Sequence, residues 1–292
     1  MMNVLVTGSN GQLASCIKDL AGQYENLNFI YTDYQELDIC DLKQVNTFFK
    51  SDPKIDYCIN CAAYTAVDKA ESDADKAFEI NATGAKNLAI ACHEFDAVLI
   101  QISTDFVFDG EKREPYVETD LPNPISVYGA SKLQGEVEVK QRLEKYFILR
   151  TSWLYSEHGS NFMKTMLRLA ETRDEISVVS DQIGTPTYAG DLAKMILNIV
   201  SSKNTNFGLY HYSNEGMVSW YDFAKAIFEV SAIEIKLNPI KTVDYPTPAN
   251  RPAYSVMDKA KIKSRLSTQA SFWIESLQKA IKVTVLRNTY HD

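Results

Sequence analysis

Residues 7–14 read Thr-Gly-Ser-Asn-Gly-Gln-Leu-Ala, and this stretch decides the fold. It follows an apolar, strand-like run at 3–7 and precedes a helical pattern at 12–23. Its glycines let the backbone turn tightly and approach a pyrophosphate, while the N-terminus of the next helix offers free N–H groups. The spacing G-x-x-G-x-x-A is one residue longer than the standard fingerprint between the first two glycines, and Ala14 replaces the last glycine. We therefore predict a dinucleotide-binding turn at the start of the chain.

Strand-like and helical segments alternate over the first half of the chain. Strands are predicted at 3–7, 28–32, 56–60, 98–103 and 147–150, and helices at 12–23, 42–50, 73–93 and 126–143. Such alternation is typical of parallel strands joined by crossover helices. The predicted fold class is α/β, with a Rossmann-type doubly wound parallel sheet that binds its ligands at the carboxyl ends of the strands.

The pattern becomes less regular after residue 150. Helices are predicted at 161–172, 190–200, 220–231 and 271–282, with a short strand at 176–179, and the prolines at 239, 246, 248 and 252 predict loops. We expect a smaller, irregular α/β substrate-binding lobe that covers the ligand. The predicted boundaries are 1–152 plus about 186–206 for the dinucleotide-binding Rossmann domain, and about 153–185 plus 207–292 for the lobe.

Composition and charge exclude several classes of partner. The 292 residues are 45% hydrophobic and 23% charged, which suits a protein with a substantial core. A net charge of -8 argues against a nucleic-acid partner, because phosphate contact needs clustered Lys and Arg. Neither a signal peptide nor an apolar stretch of membrane-spanning length is apparent, so no membrane partner is expected.

The five cysteines indicate a reducing compartment. Their number is odd and their spacing is not that of a disulfide framework, so we expect reduced thiols and a cytoplasmic protein. Cys58 and Cys61 form a C-x-x-C, but no second pair completes a tetrahedral metal site. The apolar run around them predicts buried core thiols instead.

Two acidic positions compete for the adenosine side of the cofactor. Asp33 follows the second predicted strand, at the distance expected for an acid that bonds the ribose. Such an acid favours NADH by repelling a 2′-phosphate. Asp38-Ile39 is the alternative adenine-side contact, and Asp41 also suits a helix N-cap. The choice between NADPH and NADH therefore stays open.

Tyr128 and Lys132 are four residues apart and share one face of a predicted helix. A nearby cation lowers the pKa of a phenol from its reference near ~10, so such a tyrosine is expected to protonate a carbonyl oxygen. The lysine can also hold the nicotinamide ribose. The spacing alone is weak, because Tyr221 and Lys225 repeat it, and we predict no function for that second pair.

Other motifs in the sequence distinguish Tyr128 from Tyr221. Ser103-Thr104-Asp105 ends the fourth predicted strand, at the sheet edge where a ligand should lie. Thr104 can hydrogen-bond the same carbonyl as Tyr128, and Asp105 can anchor a substrate hydroxyl. A simple capped turn is the alternative interpretation of these three residues.

With these motifs the sequence resembles the extended short-chain dehydrogenase/reductase family, which acts on nucleotide-linked sugars. The likeness covers essentially the whole chain and is strongest to the members that reduce dTDP-4-dehydrorhamnose. The matching blocks are 7–13, 60–71 (NCAAYTAVDKAE), 103–110 (STDFVFDG), 128–132 (YGASK), 150–155 (RTSWLY), 161–162, 181–187 (DQIGTPT) and 251–255 (RPAYS).

The resemblance implies Tyr128 as proton donor, Lys132 as its partner and ribose ligand, and Thr104 as a residue that tunes the proton transfer. With the positions derived above, the expected cofactor contacts are Gly8, Asn10, Gly11, Gln12, Leu13, Asp33, Asp38, Ile39, Ala62, Ala63, Tyr64, Thr65, Ser103, Tyr128 and Lys132. The expected contacts to a nucleotide-sugar substrate are Val67, Thr104, Asp105, Trp153, Asn161, Gln182 and Arg251.

The activity implied by the resemblance is reduction of the C4 ketone of dTDP-4-dehydro-L-rhamnose to dTDP-L-rhamnose with NADPH or NADH. The alternatives are another NDP-sugar 4-reductase, including one that forms a 6-deoxytalose, a 4-epimerase, and a non-catalytic regulatory subunit. A 4,6-dehydratase would need an acid directly after Asp105, where this chain has Phe106.

One departure from the family concerns metal and assembly. Some members form dimers through a magnesium ion held by acids just after the glycine loop and near residue 190. The corresponding residues here are Cys16 and Gly190, and Asp191 would compensate only if its helix shifted. We therefore expect no bridging metal, and either a monomer or a homodimer.

Overall fold

Six parallel strands form the central sheet of the computed structural model, which describes residues 1–289. The described strands are β1 Met2–Thr7, β2 Leu27–Tyr31, β3 Tyr57–Asn60, β4 Val98–Thr104, β5 Tyr146–Thr151, β6 Leu154–Tyr155, β7 Glu175–Val179, β8 Ile183–Gly184, β9 Thr187–Tyr188, β10 Gly208–His211, β11 Val218–Ser219 and β12 Lys236–Ile240. The order in the central sheet is β10-β5-β4-β3-β1-β2, and all five ladders are parallel. This is the predicted doubly wound α/β fold, and that prediction is confirmed.

The described helices are α1 Gln12–Leu20, α2 Leu42–Lys50, α3 Val67–Ala70, α4 Ala74–Phe78, α5 Ala85–Glu94, α6 Val127–Arg142, α7 Phe162–Ala170, α8 Ala189–Ser201, α9 Trp220–Val230, α10 Ala260–Leu266 and α11 Trp273–Thr289. None of the helices in the described part of the chain is long and apolar enough to cross a membrane.

The sheet is buried on both faces because each central strand sends alternate side chains into a different core. In β1, Val4 and Val6 pack into the core that contains α1 and α8, whereas Leu5 packs into the core that contains α2 and α5. All three side chains are fully buried. A continuous apolar run is therefore what a strand covered on both faces requires.

The helix predicted at 73–93 is interrupted. Between α4 and α5, residues 79–84 form a wider π-helical turn, which carries Asn81 toward α6. The Asn81 side chain accepts from the Tyr64 backbone N–H at 2.9 Å and donates to Ser131 Oγ at 2.9 Å. The bulge thus fixes the 62–65 segment against the helix that bears Tyr128, a common role for π-turns near functional sites.

The apolar faces of α7, α9 and α11 form a core apart from those of the central sheet, and the described chain also contains three two-stranded sheets. The prediction of loops around residue 239 was wrong there, because Pro239 lies within β12 and pairs with Val178 of β7. In the described residues β12 has only this neighbour, so the proline removes no ladder donor on a second side.

The strand β10 corrects the assignment of residues 207–292 to the lobe alone. It pairs with β5 along the register Gly208↔Phe147 to His211↔Arg150 and forms one edge of the central sheet. The four-residue sequence of β10 contains no pattern that would assign it to the central sheet and not to the lobe. The other proposed boundaries remain predictions.

Candidate active site

A cleft of about 610 Å³ lies at the carboxyl ends of β1, β3, β4 and β5. A second pocket of about 490 Å³ adjoins it through Gly11, Cys61 and Ala63, which line both. The predicted residues on the larger cleft are Asn10, Gly11, Gln12, Leu13, Ala63, Thr65, Val67, Ser103, Thr104, Asp105, Tyr128, Lys132, Trp153, Asn161 and Arg251. Those on the second pocket are Gly8, Gly11, Asp33, Asp38, Ile39, Ala62 and Ala63.

The glycine loop has the geometry that a pyrophosphate needs. Gly8 has a φ of +62°, and a Cβ there would lie 2.6 Å from the Ala62 backbone. Gly11 caps α1 without any side-chain hydrogen bond, and the first turn of that helix carries no acid. The free N–H groups and the positive end of the helix dipole therefore face the cleft, so the residues present fit the dinucleotide.

Asp33, the candidate ribose acid, and Asp38, the candidate adenine-side contact, both line the second pocket. Asp33 accepts from the backbone N–H of Asn10 at 2.9 Å and of Tyr34 at 2.8 Å, so its carboxylate is held beside the glycine loop. Asp38 accepts from the Cys40 N–H at 2.9 Å. Asp41 caps α2 by accepting from the N–H groups of the two residues after Leu42, as the capping interpretation predicted.

Tyr128 meets Thr104 where α6 crosses the end of β4. Both side chains line the cleft, the neighbouring Thr104 hydroxyl lowers the pKa of the phenol, and the phenol ring packs edge-on against Phe106 with ring centroids 5.5 Å apart. This close crossing depends on Gly129, because a Cβ there would lie 2.1 Å from the Phe106 carbonyl oxygen. The sequence YGASK thus places its tyrosine by means of the glycine that follows it.

Lys132 lies one turn further along α6 and is 4% exposed. Its Nζ donates to the Ile102 carbonyl at 2.6 Å. Burial lowers its pKa to about 8, against the opposing effect of Glu136. The ammonium is thus retained at neutral pH but is lost more readily than that of an exposed lysine.

The expectation that a cation lowers the pKa of Tyr128 is wrong for this structure. Burial raises that pKa to about 12, the bond with Thr104 opposes the rise, and the negative charge of Asp105 adds to it. Lys132 is turned toward the Ile102 carbonyl and makes no described bond to the phenol. Tyr128 is therefore protonated throughout the physiological range.

Asp105 is a buried carboxyl in the cleft wall. It is 2% exposed and accepts from Thr104 Oγ1 at 3.1 Å. Burial raises its pKa to about 6, while bonds from Ser255 and Thr104 hold the pKa down. The group can accept a hydrogen bond from a sugar hydroxyl once it is ionised.

Behind α6 lies an ion pair that sequence reasoning did not find. Glu136 receives two hydrogen bonds of 2.8 Å from Arg150, and Ser103 Oγ donates to the same carboxylate at 2.6 Å. The hydroxyl of Ser103, predicted as a cofactor contact, is therefore engaged away from the cleft. Spacing alone gives no signal for a pair that joins α6 to β5.

Trp153 and Trp220 stack in the cleft wall with ring centroids 3.6 Å apart. Trp153 has a φ of +48°, and its indole covers Gly184, where a Cβ would lie 2.5 Å from the ring. The block 181–187 thus contains a glycine that leaves room for the indole. Trp220 had no motif that could have identified it.

The remaining predicted substrate contacts are partly engaged within the chain. Asn161 caps α7, and its amide donates to Gln12 Oε1 at 2.8 Å. Arg251 forms a two-point ion pair with Asp68, at 3.0 and 2.8 Å.

Two predicted positions do not line either pocket. The side chain of Gln182 is buried and donates to Thr242 Oγ1 at 3.0 Å. The phenol of Tyr64 points to Asp73, to which it donates at 3.0 Å. Neither side chain is placed to contact a ligand in this arrangement.

The structure also places the second Tyr/Lys pair and the two cysteines of the C-x-x-C. Tyr221 and Lys225 do not line the cleft, and Lys225 is exposed and pairs with Glu229, so the second Tyr/Lys pair is remote from the site as predicted. Cys58 is a buried core thiol as predicted. Cys61, by contrast, lines both pockets because β3 ends before it.

Cys16, Gly190 and Asp191 stand where some family members hold a bridging magnesium, and all three have packed surroundings here. The Cys16 side chain is buried, and a Cβ at Gly190 would lie 2.6 Å from the ring of Tyr188. Asp191 accepts from Asn214 Nδ2 at 2.8 Å and from Ser276 Oγ. Asp191 is thus held inside the chain, and the absence of a bridging ion remains a prediction.

Known proteins match this chain along almost its whole length. A family model described as the RmlD substrate binding domain matches residues 2–285. The dTDP-4-dehydrorhamnose reductase of Aggregatibacter actinomycetemcomitans is 42% identical over 291 residues, covering 95% of this chain and 98% of that protein.

Solved structures agree. A dTDP-4-dehydrorhamnose reductase from Clostridium acetobutylicum has a TM-score of 0.92 and 47% identity, with coverage of 97% of this chain and 99% of that chain. The enzyme of the same name from Bacillus anthracis, solved in complex with NADP, has a TM-score of 0.93 and 42% identity, with coverage of 97% and 100%. The chain therefore belongs to the dTDP-4-dehydrorhamnose reductase family.

Proposed function

We propose that this chain reduces the C4 ketone of dTDP-4-dehydro-L-rhamnose to dTDP-L-rhamnose, with NADPH or NADH as reductant and Tyr128 as proton donor. The observation that carries the proposal is the contact between Tyr128 and Thr104 in a cleft whose other end is the glycine loop. Membership of the reductase family supports the same substrate and cofactor.

When bound, the reduced nicotinamide dinucleotide supplies the hydride. Tyr128 holds its proton at neutral pH, because its pKa is about 12, and donates it to the C4 oxygen as that oxygen gains negative charge. The alkoxide formed at a reduced ketone is a stronger base than a phenolate, so this transfer is downhill. Thr104 orients the phenol, and the ammonium of Lys132 lies one turn away to stabilise the phenolate that remains.

The substrate is held by groups of matching chemistry. Asp105 accepts a bond from a sugar hydroxyl, and the Trp153 indole offers an apolar face to the deoxysugar ring. Arg251 suits the diphosphate because its guanidinium is a planar fork, and binding there replaces its pair with Asp68. Asn161 and Gln182 remain weaker candidates for the nucleotide end, since both amides already have partners within the chain.

The assembly and the location of the enzyme are also proposed. We place it in the cytoplasm as a monomer or homodimer without a bridging metal. The five cysteines are free in the structure, which supports a reducing compartment.

The test follows the loss of reduced-nicotinamide absorbance with dTDP-4-keto sugar, with identification of the product by NMR. Tyr128→Phe should lower kcat by orders of magnitude with little change in cofactor binding, whereas Tyr221→Phe should leave kcat unchanged. A Tyr128→Phe enzyme that keeps more than about a tenth of wild-type kcat would exclude Tyr128 as proton donor. Absence of net oxidation by the wild type would favour the epimerase or the regulatory subunit, and a 6-deoxytalose product would indicate the opposite hydride face.

A further inference from the structure

Three side chains with different ligand atoms converge beneath the cleft, outside the reductase site. Cys16 lies on α1, while Glu157 and His158 belong to the loop between β6 and α7. One ligand atom from each lies within 4.8 Å of the other two. The residues come from distant parts of the chain, so their meeting is a product of the tertiary fold.

Glu157 has an unsatisfied group at this point. Its side chain is 5% exposed. Oε1 accepts from the Tyr188 hydroxyl at 3.2 Å, whereas Oε2 is buried and has no hydrogen-bond partner. Leaving a buried carboxylate oxygen without a partner costs free energy, which a cation at that position would recover.

The local charge also favours a cation. The carboxylates of Glu157 and Asp19 both lie near the Cys16 thiol. The nearby guanidinium of Arg287 is paired with Asp19 at 2.6 Å. Among the described residues the Glu157 carboxylate has no Lys or Arg partner, and its one ion-pair contact is with His158, whose Nε2 lies 4.0 Å from Oε1.

We propose that Cys16, Glu157 and His158 bind one thiophilic divalent cation, with Zn²⁺ as the best match. A thiolate, an imidazole nitrogen and a carboxylate are the ligand types that zinc uses, whereas Mg²⁺ and Ca²⁺ prefer oxygen ligands alone. A water molecule can supply the fourth ligand, because Asp19 Oδ2 is already paired with Arg287 at 2.6 Å. Binding releases the thiol proton of Cys16 to solvent as the sulfur–metal bond forms, with no change in oxidation state.

The required movement is small. Metal–ligand distances of about 2.3 Å to sulfur and about 2.0–2.1 Å to nitrogen place tetrahedral ligand atoms roughly 3.3–3.6 Å apart. Rotations that shorten the separations by up to about 1.2–1.5 Å would complete the site from the present separation of at most 4.8 Å. His158, with a side chain that is 18% exposed, provides the route for the ion.

Such an ion would clamp one wall of the cleft to the first helix. Ser156 Oγ and Asn161 Nδ2, which flank the proposed ligands, both donate to Gln12 Oε1, at 3.0 and 2.8 Å. Gln12 and Asn161 line the cleft. The ion is held within a single chain, so it differs from a metal that bridges two subunits.

The experiment uses the full chain, stripped with a chelator and titrated with zinc chloride against a chromophoric competitor. We expect one Zn²⁺ per chain with a Kd below about 1 µM, a rise in Tm, and proton release on binding. Cobalt should give a sulfur-to-metal charge-transfer band. Neither readout depends on reductase activity, so failure here and failure of the proposed function are distinguishable.

Matched variants decide which residues bind. Cys16→Ser should abolish the cobalt band, and His158→Gln should weaken zinc binding at least tenfold. Cys92→Ser, at another buried helical thiol, and His93→Gln, at an exposed histidine, should leave both unchanged. The partly exposed His158 can be replaced without disturbing a core, so that variant remains informative if Cys16→Ser does not fold. Zinc binding that is absent in the wild type, or that survives both site variants, overturns the proposal.

Discussion

Glu136 and Arg150 form a two-point ion pair in the interior of the Rossmann domain. Nε and Nη2 of the guanidinium donate to Oε1 and Oε2 of the carboxylate, each at 2.8 Å, and the two side chains are 0% and 1% exposed. Glu136 follows Lys132 by one turn of α6 and raises the pKa of that lysine against burial. The pair therefore ties the helix that carries Tyr128 to the central sheet.

Replacing Glu136 by Gln should strongly destabilise the protein. The change leaves the Arg150 guanidinium buried without a counter-ion, which typically costs about 3–5 kcal/mol. Urea unfolding measures the loss. Glu138→Gln is the control on the same helix, because its partner Arg142 is 29% exposed and such a pair contributes about 1 kcal/mol or less. If both variants lost the same free energy of unfolding, the buried pair would contribute no more to stability than the exposed one.

Replacing Gly184 by Ala should impair catalysis through Trp153. The added methyl would lie 2.5 Å from the indole and displace it from the cleft wall. Because small misplacements of substrate-positioning groups are costly, kcat/KM for the sugar nucleotide should fall roughly 10- to 100-fold. Gly22→Ala is the matched control, since a Cβ there meets nothing within 4 Å. An unchanged kcat/KM and tryptophan emission in Gly184→Ala would contradict the role assigned to this glycine.

Replacing Asp33 by Ser should shift the cofactor preference toward NADPH. The Asp33 carboxylate is held beside the glycine loop by two backbone N–H groups and would repel a ribose 2′-phosphate. Removing about 1.4 kcal/mol of repulsion corresponds to about a tenfold rise in the NADPH/NADH ratio of kcat/KM. Asp38→Ser provides the comparison. If only Asp38→Ser changes the NADPH/NADH ratio of kcat/KM, Asp38 and not Asp33 contacts the adenosine ribose.

The pH profile of kcat/KM should fall on both sides of neutrality. Asp105 has a pKa of about 6, so lowering the pH below that value protonates the carboxylate that accepts the sugar hydroxyl. Lys132 has a pKa of about 8, so raising the pH above that value removes the ammonium near the phenolate. Tyr128, with a pKa of about 12, does not set the alkaline limit.

Two variants assign the acidic limb of that profile. Asp105→Asn should lower the plateau and abolish the fall near pH 6, because the amide does not titrate. Asp75→Asn, at an exposed carboxyl outside the cleft, should retain it. A limb that persists unchanged in Asp105→Asn means that another group, such as the substrate, titrates there.

Most residues predicted for the site line one cleft, but the expected effect on the pKa of Tyr128 was wrong. The glycine loop, Thr104 and the Tyr128 helix meet at the predicted edge of the sheet. The sign of the Tyr128 pKa shift was wrong, because it depends on how deeply the phenol is buried. Gln182 lies in a block typical of the family, yet its amide binds Thr242, and the residue of that block in contact with the Trp153 indole is Gly184.

The sequence by itself determined the doubly wound fold, the dinucleotide turn and the shared helical face of Tyr128 and Lys132. Strand–helix alternation, glycine backbone freedom and the four-residue spacing are local properties that neighbouring residues establish. Only the tertiary structure decided that Glu136 pairs with Arg150, that Trp153 covers Gly184, and that Cys16 meets Glu157 and His158. These contacts, and the Tyr128 pKa, depend on which distant segments pack together and how much water they exclude, which local spacing does not specify.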